Sequence, residues 1–402
     1  MALADVAPRT DPFTRPRART AIVGAVAVMT LAALCGWAIY LDLSGFIGRT
    51  ALVYALLFAF VPVVPLAAAF LWLDRLRPEP AGLLVVALLW GALAATYLSL
   101  QINGWFARQV GDAYGASARS AVYIAPWVEE TTKGAIVFFL VWWRRHDFNS
   151  VLAGVVYGGL TGIGFAFTEN IVYYGQLFQR VKDYQGGQRV ALQAVEHLFL
   201  WRGIAAPFVH PMFTMMTGIG VGLAVRHRHL GVRIAAPVAG FCAAALLHMG
   251  YNAAASFAPG RALTAVYVAI LVPALLTLTG LVLLVRRYEY RVIQARLGDY
   301  STFGWLPPEQ VAVIATARGR RRARRHVKPL GRTQRETLRR FQQVGVDLGL
   351  LRDRMVRGVV GPAELPREQE LIARLRRLRE RVVLPDSDDA GATRLTRAAS
   401  SW

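Results

Sequence analysis

Only two of the 402 residues are cysteines, and both Cys35 and Cys242 sit inside apolar runs. A disulfide framework and a cysteine-rich zinc module are thereby excluded. Lysine is almost as scarce: Lys133, Lys182 and Lys328 are the only three, so arginine supplies nearly all of a formal net charge of +21. Charged residues make up just 18% against 55% hydrophobic, and the mean hydropathy is +0.38. That balance excludes a soluble protein of two or three domains and points to the bilayer. The chain has no His-Glu-x-x-His, no Gly-x-Ser-x-Gly, no solenoid repeat and no visible inverted duplication.

What it has in quantity is long apolar runs. A helix crosses the hydrocarbon with about 20 apolar residues, and stretches near 21–41, 50–73, 82–101, 124–142, 151–174, 203–225, 235–257 and 262–285 qualify. The sequence therefore predicts an all-α, polytopic membrane bundle of about eight transmembrane helices over 21–285. A short N-terminal segment, 1–20, precedes it and a basic C-terminal helical tail, 286–402, follows. The first run is too long for a secretory signal, and no small-x-small site follows before Asp42, so it reads as an uncleaved anchor.

Arg15, Arg17 and Arg19 precede the first run, while Arg75 and Arg77, Arg144 and Arg145, Arg226 and Arg228, and Arg286, Arg287 and Arg291 follow even-numbered ones. All fall on one side if eight spans alternate, which predicts cytoplasmic N- and C-termini. The opposite loops, near 42–49, 102–123, 175–202 and 258–261, carry scattered charge. From Arg286 to the C-terminus there are 26 basic and 13 acidic residues. Arg318, Arg320, Arg321, Arg322, Arg324, Arg325 and Lys328 read as a polybasic juxtamembrane segment for anionic lipids, with no nucleic acid expected. Thr333 and Glu336 have capping-box spacing. Leu338, Phe341, Leu348 and Met355, then Pro366 with Leu371, Leu375, Leu378 and Val382, predict a helical hairpin near 333–383. The last fifteen or so residues read as disordered.

Ionisable groups inside spans carry the functional signal, because each costs about 2.5 to 3.5 kcal/mol at mid-helix. Glu129, Glu130 and Lys133 enter the fourth run, Glu169 with Asn170 the fifth, His210 the sixth, and His248 with Asn252 four residues later the seventh. At 1.5 Å per residue, Glu129 and Glu130 lie roughly 8 to 9 Å below the outer end of their run, Glu169 roughly 8 Å, His210 roughly 10 Å and His248 roughly 13 Å. All fall in the outer third, although successive helices run in opposite directions. Blander readings exist for single residues: Glu129 and Lys133 as an i,i+4 pair, His210 satisfying carbonyls beside Pro207 and Pro211, Asn252 as interhelical glue. Glu130 resists them, because a second carboxylate adds cost without helping the Lys133 pair. Gly154, Gly158 and Gly162 repeat at four-residue spacing for close helix packing. His146, His197, His227, His229 and His326 read as ordinary surface residues.

Paired carboxylates in a dry pocket can supply one acid and one base for activating water. A neutral histidine or Asn252 could serve a developing oxyanion. Alternatively two histidines and one glutamate, with Glu169, His210 and His248 as the candidates, could hold Zn²⁺ with an open position while another carboxylate acts as base. Nothing in the spacing forces a metal. A proton- or cation-coupled transporter or channel, or a non-catalytic scaffold or sensor, would also use such groups.

At these residues the chain resembles the PrsW-type intramembrane proteases, relatives of the CAAX-processing and Abi membrane peptidases. The resemblance runs over about 124–257. It rests on Glu129-Glu130-Thr131-Thr132-Lys133, on Phe165 to Glu169-Asn170, on His210, and on His248 to Asn252. CAAX-type enzymes carry Arg after the double glutamate and His after the phenylalanine, whereas Lys133 and Glu169 stand here, which favours the PrsW branch. The resemblance implies an intramembrane endopeptidase of a bacterial plasma membrane. Its substrate would be a single-pass membrane protein, such as an anti-sigma factor, cut near the extracytoplasmic side. It further implies Glu129 or Glu130 as base, Glu169 and His248 as partners or ligands, His210 and Asn252 as orienting or oxyanion groups, and Lys133 and Asn170 in support.

Overall fold

Apolar runs without internal breakers fold as helices because the backbone has no other partner for its polar groups in hydrocarbon. In the computed structural model the described residues are 14–110, 116–143, 148, 150–257 and 260–385, and their regular elements are all helical. The bundle comprises α1 (Thr14–Phe46), α2 (Arg49–Phe60), α3 (Val63–Leu73), α4 (Ala81–Leu89), α5 (Thr96–Val110), α6 (Ala116–Tyr123), α7 (Ala125–Trp143), α8 (Val151–Val181), α9 (Gly187–Phe199), α10 (Val209–Arg226), α11 (Leu230–Phe257) and α12 (Gly260–Val266). It continues into α13 (Val272–Thr302), followed by α14 (Pro308–Ala315), α15 (Ala317–Val327), α16 (Gly331–Val356) and α17 (Leu365–Arg379). Residues 1–13 of the expected N-terminal segment, and the expected disorder after Asp386, lie outside the described residues.

Among the described residues, seven helical stretches are long and apolar enough to cross a membrane, one fewer than the eight expected. The difference is α7, whose Glu129, Glu130 and Lys133 spoil its apolarity. Its 19 residues still reach about 28 Å at 1.5 Å each, the thickness of a hydrocarbon core. Pro62, which has no amide hydrogen to donate, separates α2 from α3 within one stretch. The segment 175–202, expected as a loop, is helical: α8 runs on to Val181, α9 follows, and a wide π-turn at Leu200–Ala205 leads towards α10. Glu196 and His197 are exposed on α9, as their surface reading requires.

Helix α8 is the axis of the bundle and is buried along most of its length. It can be so because glycines let backbones meet. A Cβ on Gly154 would fall onto the Gly218 carbonyl, one on Gly158 would lie 2.7 Å from the Thr214 oxygen, and one on Gly162 would lie 2.6 Å from the His210 oxygen. The three glycines predicted to permit close approach thus seat α8 against α10, and α10 in turn packs on α11.

The basic C-terminal region is a folded unit. Helix α13 outruns its apolar stretch by some four turns, and α14 to α17 close around its end over Ile293, Leu297, Ile314, Phe341, Val344, Leu348 and Leu375. The predicted hairpin is α16 and α17. The capping box does not form: α16 starts earlier, at Gly331, and Glu336 pairs with Arg332 instead. The unit docks on one end of the bundle through Arg77 on Asp347 (2.7 Å), Arg226 on Asp353 (3.5 Å), and Ser150 donating to Glu289 (2.7 Å).

Candidate active site

Four helices deliver the site. On α7, positions 129, 130 and 133 share a face because i,i+3 and i,i+4 residues are neighbours. The Lys133 ammonium stands 3.3 Å from Glu129 Oε2 and 2.9 Å from Glu130 Oε1. Phe165 and Glu169 are one turn apart on α8, and the Phe165 ring lies under the same ammonium, 3.7 Å from it. Helix α10 begins at Val209, so Pro211 occupies its first turn, where a missing amide hydrogen costs nothing. That turn presents His210, and Thr214 one turn on donates to Glu130 Oε2 at 3.0 Å. Helix α11 brings His248, stacked on Phe213 at 5.0 Å between centroids.

The two imidazoles are wired alike. His210 Nε2 lies 2.8 Å from Glu169 Oε2, and His248 Nδ1 lies 3.0 Å from Glu130 Oε1. Each carboxylate takes the N–H of its imidazole, which leaves the opposite ring nitrogen as an acceptor. Those free nitrogens face common ground. His210 Nδ1 is 3.2 Å from the Lys133 ammonium, and His248 Nε2 is 3.7 Å from Glu129 Oε2. Glu129, His210 and His248 each place one donor atom within 4.8 Å of the others.

The cluster is dry and charged. Glu130 and Lys133 are fully buried and His248 is 1% exposed, whereas the Glu169 side chain keeps 14% exposure, so any opening lies on the Glu169 side. Three carboxylates face two basic side chains, Lys133 and Arg202.

Of the residues singled out from sequence, Glu129, Glu130, Lys133, Glu169, His210 and His248 meet. Asn170 stands beside them, accepting from Arg202 Nε at 2.8 Å. Asn252 does not join: its amide donates to the Ala121 carbonyl at 2.9 Å and ties α11 to α6. The expected ligand trio also changes, because Glu169 lies behind His210 and Glu129 takes its place in the convergent group. Arg202 is the residue the sequence reading missed. From the π-turn after α9 it reaches Glu169 Oε2 at 2.5 Å, and an arginine in Trp201-Arg202-Gly203 at the mouth of the sixth run, with three carboxylates and one lysine in the two preceding runs, was the available signal. Asn103 (3.5 Å from Glu129) was missed too, as were Ser99 and Thr132, which share a 2.7 Å hydrogen bond beneath the cluster.

A helical membrane bundle with two carboxylate-tethered imidazoles facing a third carboxylate defines a class: membrane-embedded hydrolases that admit water to a buried centre. Residues 79–278 match the model of the PrsW family intramembrane metalloproteases, and the chain belongs to that family. The match takes in every residue of the cluster and stops short of the C-terminal unit. No curated protein and no solved structure matches the chain.

The family name implies a metal, and the donor set fits one. Two neutral imidazole nitrogens and a carboxylate are the ligands of open catalytic zinc sites. Tethering each imidazole N–H to a carboxylate is how such ligands are held in tautomer and orientation. Lys133 contacts Glu129 and His210 on the very atoms that would coordinate, and so competes for them.

Proposed function

We propose that this protein hydrolyses a peptide bond of a single-pass membrane protein near the extracytoplasmic face, with Glu129, His210 and His248 as the residues that would hold Zn²⁺. The observation that carries this reading is the paired tethering of His248 to Glu130 and His210 to Glu169, with one donor atom of each histidine within 4.8 Å of a Glu129 oxygen. A bound metal would polarise the scissile carbonyl and lower the pKa of its water to about 7.

The chain's own residues supply the rest. Glu130 is fixed by Lys133, Thr214 and His248, and Glu169 by Arg202 and His210, so both are committed to orientation. Glu129 is the loosest carboxylate, with contacts of 3.3 to 3.7 Å, and is the one free to turn to a metal beside His210 and His248. Lys133 holds the repulsion between Glu129 and Glu130 in check and can donate to the oxyanion of the tetrahedral carbonyl.

Height along the helices supports the choice of face. Glu169 lies 19 residues beyond Ser150, His210 16 residues before Arg226, and His248 18 residues beyond Leu230, or roughly 24 to 28 Å from the end where the basic unit docks. With that arginine-rich end in the cytoplasm of a bacterial plasma membrane, the cluster sits under the opposite leaflet.

The test is reconstitution of the purified protein with a tagged single-pass substrate library, with bound metal measured in the same preparation. Cleavage by the wild type, abolished in Glu129→Gln and His248→Ala at unchanged abundance, is expected. Equal fragment patterns in all three would sink the proposal. So would normal cleavage by protein stripped of metal, as far as the zinc is concerned.

A further inference from the structure

At the opposite end of the molecule two cavities share a wall. One, of about 900 Å³, lies between the turn after α3 and helices α15 and α16. The other, of about 390 Å³, lies between the end of α3, the middle of α13 and the start of α15. Arg75, Arg320 and Arg324 line both. The smaller one adds Arg286, Arg287 and Arg321, and no carboxylate lines it. None of these six arginines makes an ion pair with a carboxylate among the described residues. The larger cavity also carries Asp74, Glu79 and Asp347, the last paired with Arg77, and the C-terminal unit pairs Arg296 and Arg357 with Asp353. The carboxylate deficit is confined to the smaller cavity and the shared wall of Arg75, Arg320 and Arg324.

Two groups there are built and left wanting. Arg320 is 6% exposed, and the only hydrogen bond of its guanidinium among the described residues is from Nη1 to the Ile314 carbonyl at 3.0 Å. Burial, followed by the neighbouring Arg324 and Arg75, pushes its guanidinium down to about 10. Arg286 stacks on Trp72 at 3.9 Å, and its buried Nε–H has no acceptor. Unpaired buried donors of this kind are costly unless a ligand satisfies them. The remaining wall is Trp72, Leu283 and Tyr290, at the junction between apolar span and polar unit where tryptophan and arginine anchor helices to headgroups.

We propose that the twin cavity is a binding site for a phosphate-bearing anion supplied by an anionic phospholipid, with Arg320 and Arg286 gripping the phosphate and Trp72 and Leu283 flanking the acyl chains. Phosphate offers several acceptor oxygens to guanidinium forks that otherwise face one another. The site unites α3, α13 and α15, so the lipid would clamp the C-terminal unit to the bundle. It stands independently of the protease reading, since its readout is binding.

The full chain in neutral detergent would be titrated with phosphatidylglycerol, phosphatidylcholine and inorganic phosphate, followed by native mass spectrometry and thermal unfolding. Phosphatidylglycerol should bind and raise the Tm. Arg320→Gln and Arg286→Gln should each weaken it about fivefold, the worth of one charge near a lipid surface. The control Arg332→Gln, exposed and paired with Glu336 outside the cavities, should not change it. Should Arg320→Gln fail to fold, Arg287→Gln and Arg321→Gln on the exposed rim carry the same expectation. Equal binding of phosphatidylcholine, or unchanged affinity in the cavity variants, would overturn the site. Inorganic phosphate matching the lipid in Tm shift would overturn the lipid as its source.

Discussion

Removing the Arg202 guanidinium should uncouple Glu169 from its place behind His210. The pair is short, at 2.5 Å, and both side chains are about 85% buried, so deleting either partner strands the other in a poorly solvated site. Stranding a buried charge costs about 3 to 5 kcal/mol, and some loss of solvent exclusion at this edge places the expectation near the lower figure. Arg202→Met and Glu169→Gln should each lose about 3 kcal/mol, whereas the double variant should lose much less than their sum, since neither charge is left alone. Unfolding in mixed detergent micelles, with all four proteins in one cycle, measures the coupling directly. A coupling of about 2 kcal/mol or more is expected. Losses that add within about 0.5 kcal/mol would refute the pair and, with it, the argument that Arg202 holds the orientation of His210.

Three further outcomes follow from the same geometry. Gly162→Ala places a Cβ 2.6 Å from the His210 carbonyl, so it should cost about 1 to 3 kcal/mol in overpacking and lower cleavage on the order of 100-fold by shifting His210, which unfolding and turnover measured together would check. Asn252→Ala should lose about 1 kcal/mol with the Ala121 hydrogen bond yet keep turnover within a few-fold, and a collapse of turnover at unchanged stability would instead place Asn252 in the chemistry. Lys133→Met should destabilise the metal-free protein by about 3 to 5 kcal/mol, but Zn²⁺ should raise its Tm more than that of the wild type, because the competing ammonium is gone; a smaller zinc shift in the variant would contradict the competition.

How far the fold could be read in advance depended on what apolarity reports. Span positions were legible because hydrocarbon demands apolar length. Their ends were not, because a helix continues past the bilayer wherever other helices cover it. Helix α13 illustrates this: its apolar signal fades near 285, but Ile293 and Leu297 are fully buried by α16 and its neighbours, and the helix persists to Thr302. The stripe of Leu338, Phe341 and Leu348 was visible in sequence, but that it would close on α13 and on Leu76 from the bundle was not, since a stripe does not name its partner. In the same way 175–202 read as a loop because Gln176, Gln179, Arg180, Lys182 and Asp183 break its apolarity, although these residues decorate helices.

The site was legible in its members and illegible in its pairings. Ionisable groups in apolar runs stand out, and their common height follows from residue counts alone. Which carboxylate meets which imidazole depends on how each helix is rotated, and rotation is set by contacts such as Gly162 against His210 and Phe213 against His248, which no period in one helix encodes. Hence Glu129, where Glu169 was expected, is the carboxylate that stands with His210 and His248 in the convergent group. Arg202 was hidden for a related reason: it lies in a π-turn outside the run that was counted, and π-turns widen a helix to redirect side chains at functional sites. The charge sum was the clue within reach. Three carboxylates against one lysine in a dry cluster require another cation, and the first arginine at the mouth of the sixth run was positioned to supply it.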